Sequence, residues 1–250
     1  MHPGGTNLYL AGDRDLALID TGDTGTYARD KVVASLARRK GATLREIFIT
    51  HGHHDHIGGA GPIKEATGAE VRAHPYIADN SLKEVGALPL QDGQVVKVGE
   101  HEFEFIHTPG HSVAHFCIFY RNDKVLFSGD TILGIGTATV RDLAAYMGSL
   151  ERLLACDARV ICPGHGPVIR NPQEKIREYI AHRRMRENQV LAALAQGPKT
   201  SRQLVLEIYA DVDPQLHRAA EGNVVTHLTK LQAEGRVQAS GDEPPIYRLA

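Results

Sequence analysis

Only three cysteines, Cys117, Cys156 and Cys162, occur in 250 residues, and no two stand in a CxxC spacing. An odd, unspaced set excludes a disulfide framework and a thiolate metal site. Cys117 and Cys162 fall in apolar, strand-like runs and read as small core residues. A reduced, cytoplasmic setting follows. No apolar run approaches the roughly 18 residues that cross a bilayer, so no membrane partner is expected. Met1-His2-Pro3-Gly4-Gly5 lacks the charged-then-apolar order of a secretion signal. Internal repeats and low-complexity runs are missing as well. The formal net charge of -2 is close to neutral, which removes any overall demand for a polyanionic partner. Hydrophobic residues at 42% and charged residues at 23% are ordinary for a globular chain, long enough for one good-sized domain with a small appendage.

Histidine is what the chain has in excess. There are 14, gathered at turns, and that points to metal.

Along the first two thirds, short β runs alternate with helical ones. Strands are expected at 6–11, 16–20, 46–50, 70–73, 95–98, 102–107, 116–120, 124–128 and 159–162, and helices at 27–39, 58–67 and 143–154. Hairpins mixed with crossover helices imply an α/β fold, a mixed sheet system covered by helices. The tail differs. A long helix over 173–194 carries Arg183, Arg184 and Arg186, and Gly197-Pro198 ends it. Helices at 201–208 and 218–234 and strands at 235–239 and 246–249 follow, the order of a small winged-helix module. The expected division is 1–187 for a catalytic domain and 188–250 for that module.

The strongest chemical signal is Thr50-His51-Gly52-His53-His54-Asp55-His56, which places His51, His53, Asp55 and His56 directly after a strand. Zinc takes imidazole and carboxylate where thiolates are absent. These groups converge only if the backbone curls, and Gly52, Gly58 and Gly59 permit that. One loop cannot satisfy two ions, and three other strand ends carry the missing donors. Thr108-Pro109-Gly110-His111, Ser128-Gly129-Asp130 and Pro163-Gly164-His165-Gly166 each set one donor on a small-residue turn. Strand ends are where open α/β folds put their chemistry. His54 should point away from the metals. His74, His101, His107, His182, His217 and His227 read as surface or core residues.

The order HxHxDH, then H, then D, then H resembles the metallo-β-lactamase superfamily. That resemblance implies a four-layer αββα sandwich with the winged helix appended. It makes His51, His53 and His111 similar to the ligands of a first metal, and Asp55, His56 and His165 to those of a second. Asp130 resembles the bridging carboxylate. Asp20, in Ile19-Asp20-Thr21-Gly22, resembles the acid that props the ligand loop. His115, four residues after His111, matches a histidine that similar proteins often carry, a candidate supporting residue. Ser128 to Thr137, Asp142-Leu143, Tyr146-Met147 and Pro163 to Ile169 look like the beta-lactamase-like protein 2 family. That family also ends in a winged helix and includes single-strand endoribonucleases; relatives resemble acyl-thioester hydrolases. Such proteins usually place an extra strand before Gly-Thr-Asn-x-Tyr-Leu, and this chain starts almost at that motif, so that strand is expected to be absent or cut short.

The resemblance implies a hydrolase with two Zn2+, though Mn2+ or Fe2+ suits the same donors. Two ions about 3.5–4 Å apart share a water and lower its pKa, and the bridging hydroxide attacks an ester, thioester or related acyl bond, with Asp55 and Asp130 as catalytic carboxylates. A single-strand endoribonuclease on the same site is the alternative. A nucleic-acid-binding protein whose metal is structural is the other class. A one-iron persulfide dioxygenase would leave the second set of donors idle, and glyoxalase-type thioesterases carry a different helical tail. Basic and acidic residues nearly balance after Arg170, and Asp242-Glu243-Pro244-Pro245 makes the wing acidic, against a phosphate footprint. Arg183, Arg184 and Arg186 are either a solvated helix face or a lead-in for an anionic substrate. The expected partners are a small acyl substrate or single-stranded RNA, with a homodimer implied by the resemblance.

Overall fold

The computed structural model describes residues 5–241 and 243–250. Met1 to Gly4 of the N-terminal turn, and Asp242 of the acidic wing loop, lie outside the described residues.

The chain opens with the antiparallel pair β1 (Tyr9–Gly12) and β2 (Asp15–Ile19), followed by α1 (Tyr27–Ala37) and β3 (Thr43–Phe48). Two short helices, α2 (His54–Ile57) and α3 (Ala60–Thr67), lead to β4 (Glu70–Ala73), α4 (Pro75–Asp79) and β5 (Leu88–Pro89). These five strands form one sheet in sequence order, with β2, β3, β4 and β5 parallel. The meander β6 (Val95–Val98), β7 (His101–His107), β8 (Phe116–Tyr120) and β9 (Val125–Gly129) makes a second sheet. Helix α5 (Leu143–Leu154) then returns the chain so that β10 (Val160–Pro163) joins β9 in parallel.

Strand alternation decides the layers. In β2, Leu16 and Leu18 pack towards the helices α1, α3 and α4, whereas Ala17 and Ile19 face the second sheet. Phe48, Phe103, Phe105, Phe116, Ile118 and Phe127 fill the space between the sheets. The other face of the second sheet, with Ile106, Cys117, Leu126 and Ile161, is covered by α5 and by α6 (Pro172–Leu194). The result is helix, sheet, sheet, helix. Each of these fully buried large side chains contributes about 1.5–3 kcal/mol of transfer free energy.

Pro172 starts α6 at a first-turn position, where its missing N–H costs nothing. The helix runs unbroken through residue 188. Its early turns place Ile176, Tyr179 and Ile180 on the second sheet's helical layer, and its last turns place Val190, Ala193 and Leu194 in a separate core. That core belongs to β11 (Lys199–Thr200), α7 (Ser201–Ile208), α8 (His217–Ala233), β12 (Val237–Ser240) and β13 (Ile246–Leu249), with the sheet order β11-β13-β12. Helix α7 begins with a capping box formed by Thr200 and Gln203. The first and second units therefore share one helix rather than meeting at a linker.

The structure corrects the arginine reading. Arg183 is not on a solvated face: it is buried, donates to the Ala138 carbonyl at 2.7 Å and lies over the Tyr146 ring. Arg186 stacks on Tyr209, and only Arg184 is exposed, paired with Glu151. The three do not form one cationic strip.

Candidate metal centre

Strand direction brings the donors together. Strands β2 and β3 are parallel, so Asp20 and His51 leave the first sheet at one edge. In the second sheet, β7 and β9 are both antiparallel to β8, and β10 is parallel to β9, so His111, Asp130 and His165 also leave at a common edge. Past Phe48, strand β3 is no longer held by its neighbours alone. Thr50 N–H donates to Asp20 Oδ1 at 2.8 Å, and the Thr50 carbonyl accepts from Phe116 N–H at 2.8 Å. His53 then caps α2, a four-residue helix too short to show as a period, which presents Asp55 and His56 one after the other. Gly52 has no left-handed φ; glycine is required instead at Gly58 and Gly59, where an added Cβ would strike the Thr24 and Thr21 backbones at 2.4 and 2.3 Å.

Two clusters of donor atoms result. His51, His53, His111 and Asp130 form one, and Asp55, His56 and His165 the other, with the atoms of each within 4.8 Å of one another. In the first, His53 Nδ1 is 2.8 Å from His51 Nε2 and 3.1 Å from His111 Nε2. Asp130 stands between them. Its Oδ2 lies 3.9 and 3.7 Å from His51 and His111 Nε2, while its Oδ1 lies 3.5 and 3.4 Å from His56 and His165 Nε2. Asp55 Oδ2 is 3.3 Å from His165 Nε2 and 3.8 Å from His56 Nε2.

The surroundings set the tautomers. His56 Nδ1 donates to Asp20 Oδ2 at 2.8 Å, His111 Nδ1 to the Thr139 carbonyl at 2.8 Å, and His165 Nδ1 to the Gly5 carbonyl at 3.0 Å. These oxygens only accept, so each ring carries its proton on Nδ1 and turns a lone pair on Nε2 inward. Thr50 spends its hydroxyl proton on Asp20 and accepts from His51 Nδ1, with the same outcome. Asp20 holds this position at φ +58°, an uncommon conformation for a side-chain-bearing residue.

Charge divides the site. Burial first, and neighbouring imidazoles next, keep His51, His53 and His111 below the ordinary histidine value. Burial also opposes charge on His56, but Asp20, Asp130 and Asp55 overcome it and lift the ring to about 9. Asp130 is pushed up by burial, yet His165, His56 and His111 hold it well below the carboxylate range. The donor set fits divalent cations on two counts: the ring nitrogens and carboxylate oxygens of each cluster converge within 4.8 Å of one another, and Asp130 Oδ1 is buried without a hydrogen bond. Gly164 is part of the cradle, because a Cβ there would lie 2.7 Å from Asp130 Oδ1 and 2.8 Å from His56 Cε1.

His115 is buried behind the centre. Its Nε2 accepts from Asp130 N–H at 3.2 Å and its Nδ1 meets Thr108 Oγ1 at 2.9 Å, so it positions the Asp130 turn rather than facing the donors. His54 points away and pairs with Asp23 at 2.7 Å. His74, His101, His107, His182, His217 and His227 are absent from both clusters. Three contributors were not foreseen. Thr6 donates to Asp55 Oδ2 at 2.9 Å, Asn7 donates to the carbonyls of Pro163 and Gly166, and Thr50 relays between Asp20 and His51. The Gly-Thr-Asn motif was the available signal for the first two. A cleft of about 430 Å³ opens on the first cluster's side, where His53, Tyr76, Ile77, Val113 and Arg141 line it.

Comparison with known proteins agrees with this architecture. The Metallo-beta-lactamase superfamily profile matches residues 2–165, and the Beta-lactamase associated winged helix domain matches residues 200–244. A Beta-lactamase-like protein 2 homolog of Drosophila melanogaster is 37% identical, over 96% of this chain and 87% of that protein. An Atrochrysone carboxyl ACP thioesterase of Aspergillus fumigatus is 37% identical over 76% of this chain and 60% of that protein. Among solved structures, a metallo-beta-lactamase family protein from Thermus thermophilus superposes with a TM-score of 0.76 at 26% identity, covering 98% of this chain and 94% of that one. With its donors at two facing sheet edges and a winged helix behind them, the chain belongs to the metallo-beta-lactamase superfamily and is one of that family's hydrolases.

Proposed function

We propose that this hydrolase works with two divalent ions, zinc by its donor chemistry, on an ester, thioester or related acyl bond. The split of Asp130 carries the reading: one carboxylate turns one oxygen to each cluster. His51, His53 and His111 would hold the first ion, Asp55, His56 and His165 the second, and Asp130 both. Mn2+ or Fe2+ would suit the same nitrogens and oxygens. When bound, such a pair supplies an activated water and a Lewis acid for the substrate oxygen.

The chain's own groups do the rest. Asp20, Thr139, Gly5 and Thr50 orient the imidazoles before substrate arrives. Asp55 is half-exposed and anchored by Thr6. Burial pushes its pKa up, but His56, the Thr6 hydrogen bond and His165 keep it below the ordinary value, so at neutral pH it is an acceptor for the proton of an attacking water. An acyl substrate is favoured over RNA because the cleft walls are largely apolar and the α6 arginines are already engaged. The thioesterase named among the relatives supports the same choice. Among the described residues no helix is long and apolar enough to cross a membrane, and all three cysteines are free. The free cysteines support a cytoplasmic place for the protein. We also propose a homodimer, which sedimentation of the purified chain would test.

The deciding experiment incubates zinc-loaded protein with an acyl thioester and with labelled single-stranded RNA, using Asp55→Ala as control. Thioester hydrolysis falling at least about a hundredfold in the variant is the expected result. RNA cleavage without thioester hydrolysis would overturn the acyl reading and leave the metal reading standing. Turnover of neither by a protein that binds two ions would overturn the thioester and ribonuclease readings together.

A further inference from the structure

Arg141 is the unabsorbed charge in the cleft. Its backbone N–H donates to the Gly110 carbonyl at 2.8 Å, which ties it to the turn that carries His111. Gly110 is itself fixed, because it sits at φ +133° and a Cβ there would strike Tyr146. The guanidinium is exposed and lines the cleft with His53, and it has no hydrogen bond or ion pair among the described residues. Nearby cations differ: Arg152 pairs with Asp92, Arg184 with Glu151, and Arg183 is spent on Ala138. The adjacent Asp142 lines the same cleft but forms no ion pair with Arg141; its carboxylate caps α5 by accepting from Ala145 N–H at 3.0 Å.

Charge is therefore polarised across the centre. Asp55 places negative charge on the far side, and Asp130 stands between the two clusters. Neutral imidazoles and an unpaired guanidinium stand on the near side, and the Arg141 charge reaches both His53 and His111. Between them the cleft offers carbon: Val113 is 72% exposed, Tyr76 is 63% exposed, and Ile77 lies beside them. An apolar wall ending in five guanidinium donors suits an organic anion, and a carboxylate is the partner of matching shape.

We infer that Arg141 is a specificity-determining residue that binds a carboxylate carried by an otherwise apolar ester or thioester, orienting it with its charged end over the first cluster. The ester or thioester identity rests on the acyl-hydrolase reading; the anion site does not.

The test uses zinc-loaded protein and three thioesters: one with a terminal carboxylate on the acyl chain, one with the carboxylate on the thiol, and a neutral methyl ester counterpart. Wild type should favour one carboxylated substrate about tenfold or more in kcat/KM, expressed in KM. Arg141→Ala should erase that preference while leaving the neutral substrate within about twofold, and Arg141→Lys should keep part of it. No preference in wild type, or one that survives Arg141→Ala, overturns the inference. A second readout needs no turnover. Calorimetric titration of metal-free protein with phenylpropionate should weaken about tenfold in Arg141→Ala. Equal affinities, or tighter binding of inorganic phosphate than of phenylpropionate at Arg141, also overturn it. If wild type hydrolyses no thioester, the acyl reading fails and the titration still decides the fate of Arg141.

Discussion

Asp20 does more for the centre than any residue outside the two donor clusters. One carboxylate takes the His56 Nδ1 proton, the Thr50 N–H and the Thr50 hydroxyl, and through Thr50 it also sets His51. Asp20→Ala is therefore expected to leave the donors in place but badly aimed. Metal affinity should drop about 10- to 100-fold, with the larger loss at the His56 cluster, as measured by chelator competition and metal content. Stability should fall by about 1–3 kcal/mol, because Thr50 N–H is left buried and unpaired. An unchanged affinity would mean that the loop holds its shape without the acid.

At the scale of elements, the α6–α8 contact carries a second expectation. His227 on α8 is buried with no partner for Nδ1. It faces His182, Arg183 and Arg186 from α6 and Lys230 from its own helix, which pairs in turn with Glu187. Burial, then Arg183 and Lys230, depress its pKa to about 4. An unfolded histidine titrates near 6.5, so between about 4 and 6.5 the unfolded chain holds a proton that the folded chain refuses. Stability should fall as pH drops through that window and level off below it. His227→Leu should flatten the slope, seen as the wild-type-minus-variant difference in urea unfolding followed by circular dichroism. A difference that does not change with pH would show that the ring stays neutral for another reason.

Elements with a clean period were legible in the sequence. The helices over 143–154 and 201–208 and the strands over 70–73, 95–98 and 116–120 lie where alternation and spacing place them. Other features have no local signal. Helix α2 has only four residues, begins after His53 with no side-chain cap, and is held where the centre folds around it. Beyond Phe48, Ile49 N–H still donates to Arg72 of β4, but both backbone groups of Thr50 are claimed by Asp20 and Phe116, and the strand ends. The seven donors could be read as types in order, but their division into two clusters needs the facing sheets. Arg183 reads as a surface charge until α6 is seen to lie on Ala138 and Tyr146, and Arg141 shows no motif at all.

Across the whole molecule, the donors span both sheets: His51, His53, Asp55 and His56 come from one, and His111, Asp130 and His165 from the other. Bound ions would thus tie the two halves of the sandwich. Stripping either one with a chelator should cost about 4 kcal/mol at a thousandfold excess of free ion over its dissociation constant. That corresponds to a fall in Tm of about 8–16 °C for a chain of this size, reversed by zinc in a calorimetric scan. A Tm indifferent to chelator would argue against a metal centre altogether.

Helix α6 also dictates how the polypeptide can be dissected. A fragment ending at residue 187 would sever the helix one turn beyond Arg183. A fragment ending after Gly197 would keep the helix whole, but would turn Val190, Ala193 and Leu194 out into water. The C-terminal module thus covers apolar surface that α6 carries, and truncated expression products are expected to aggregate where the intact polypeptide does not, as light scattering would check.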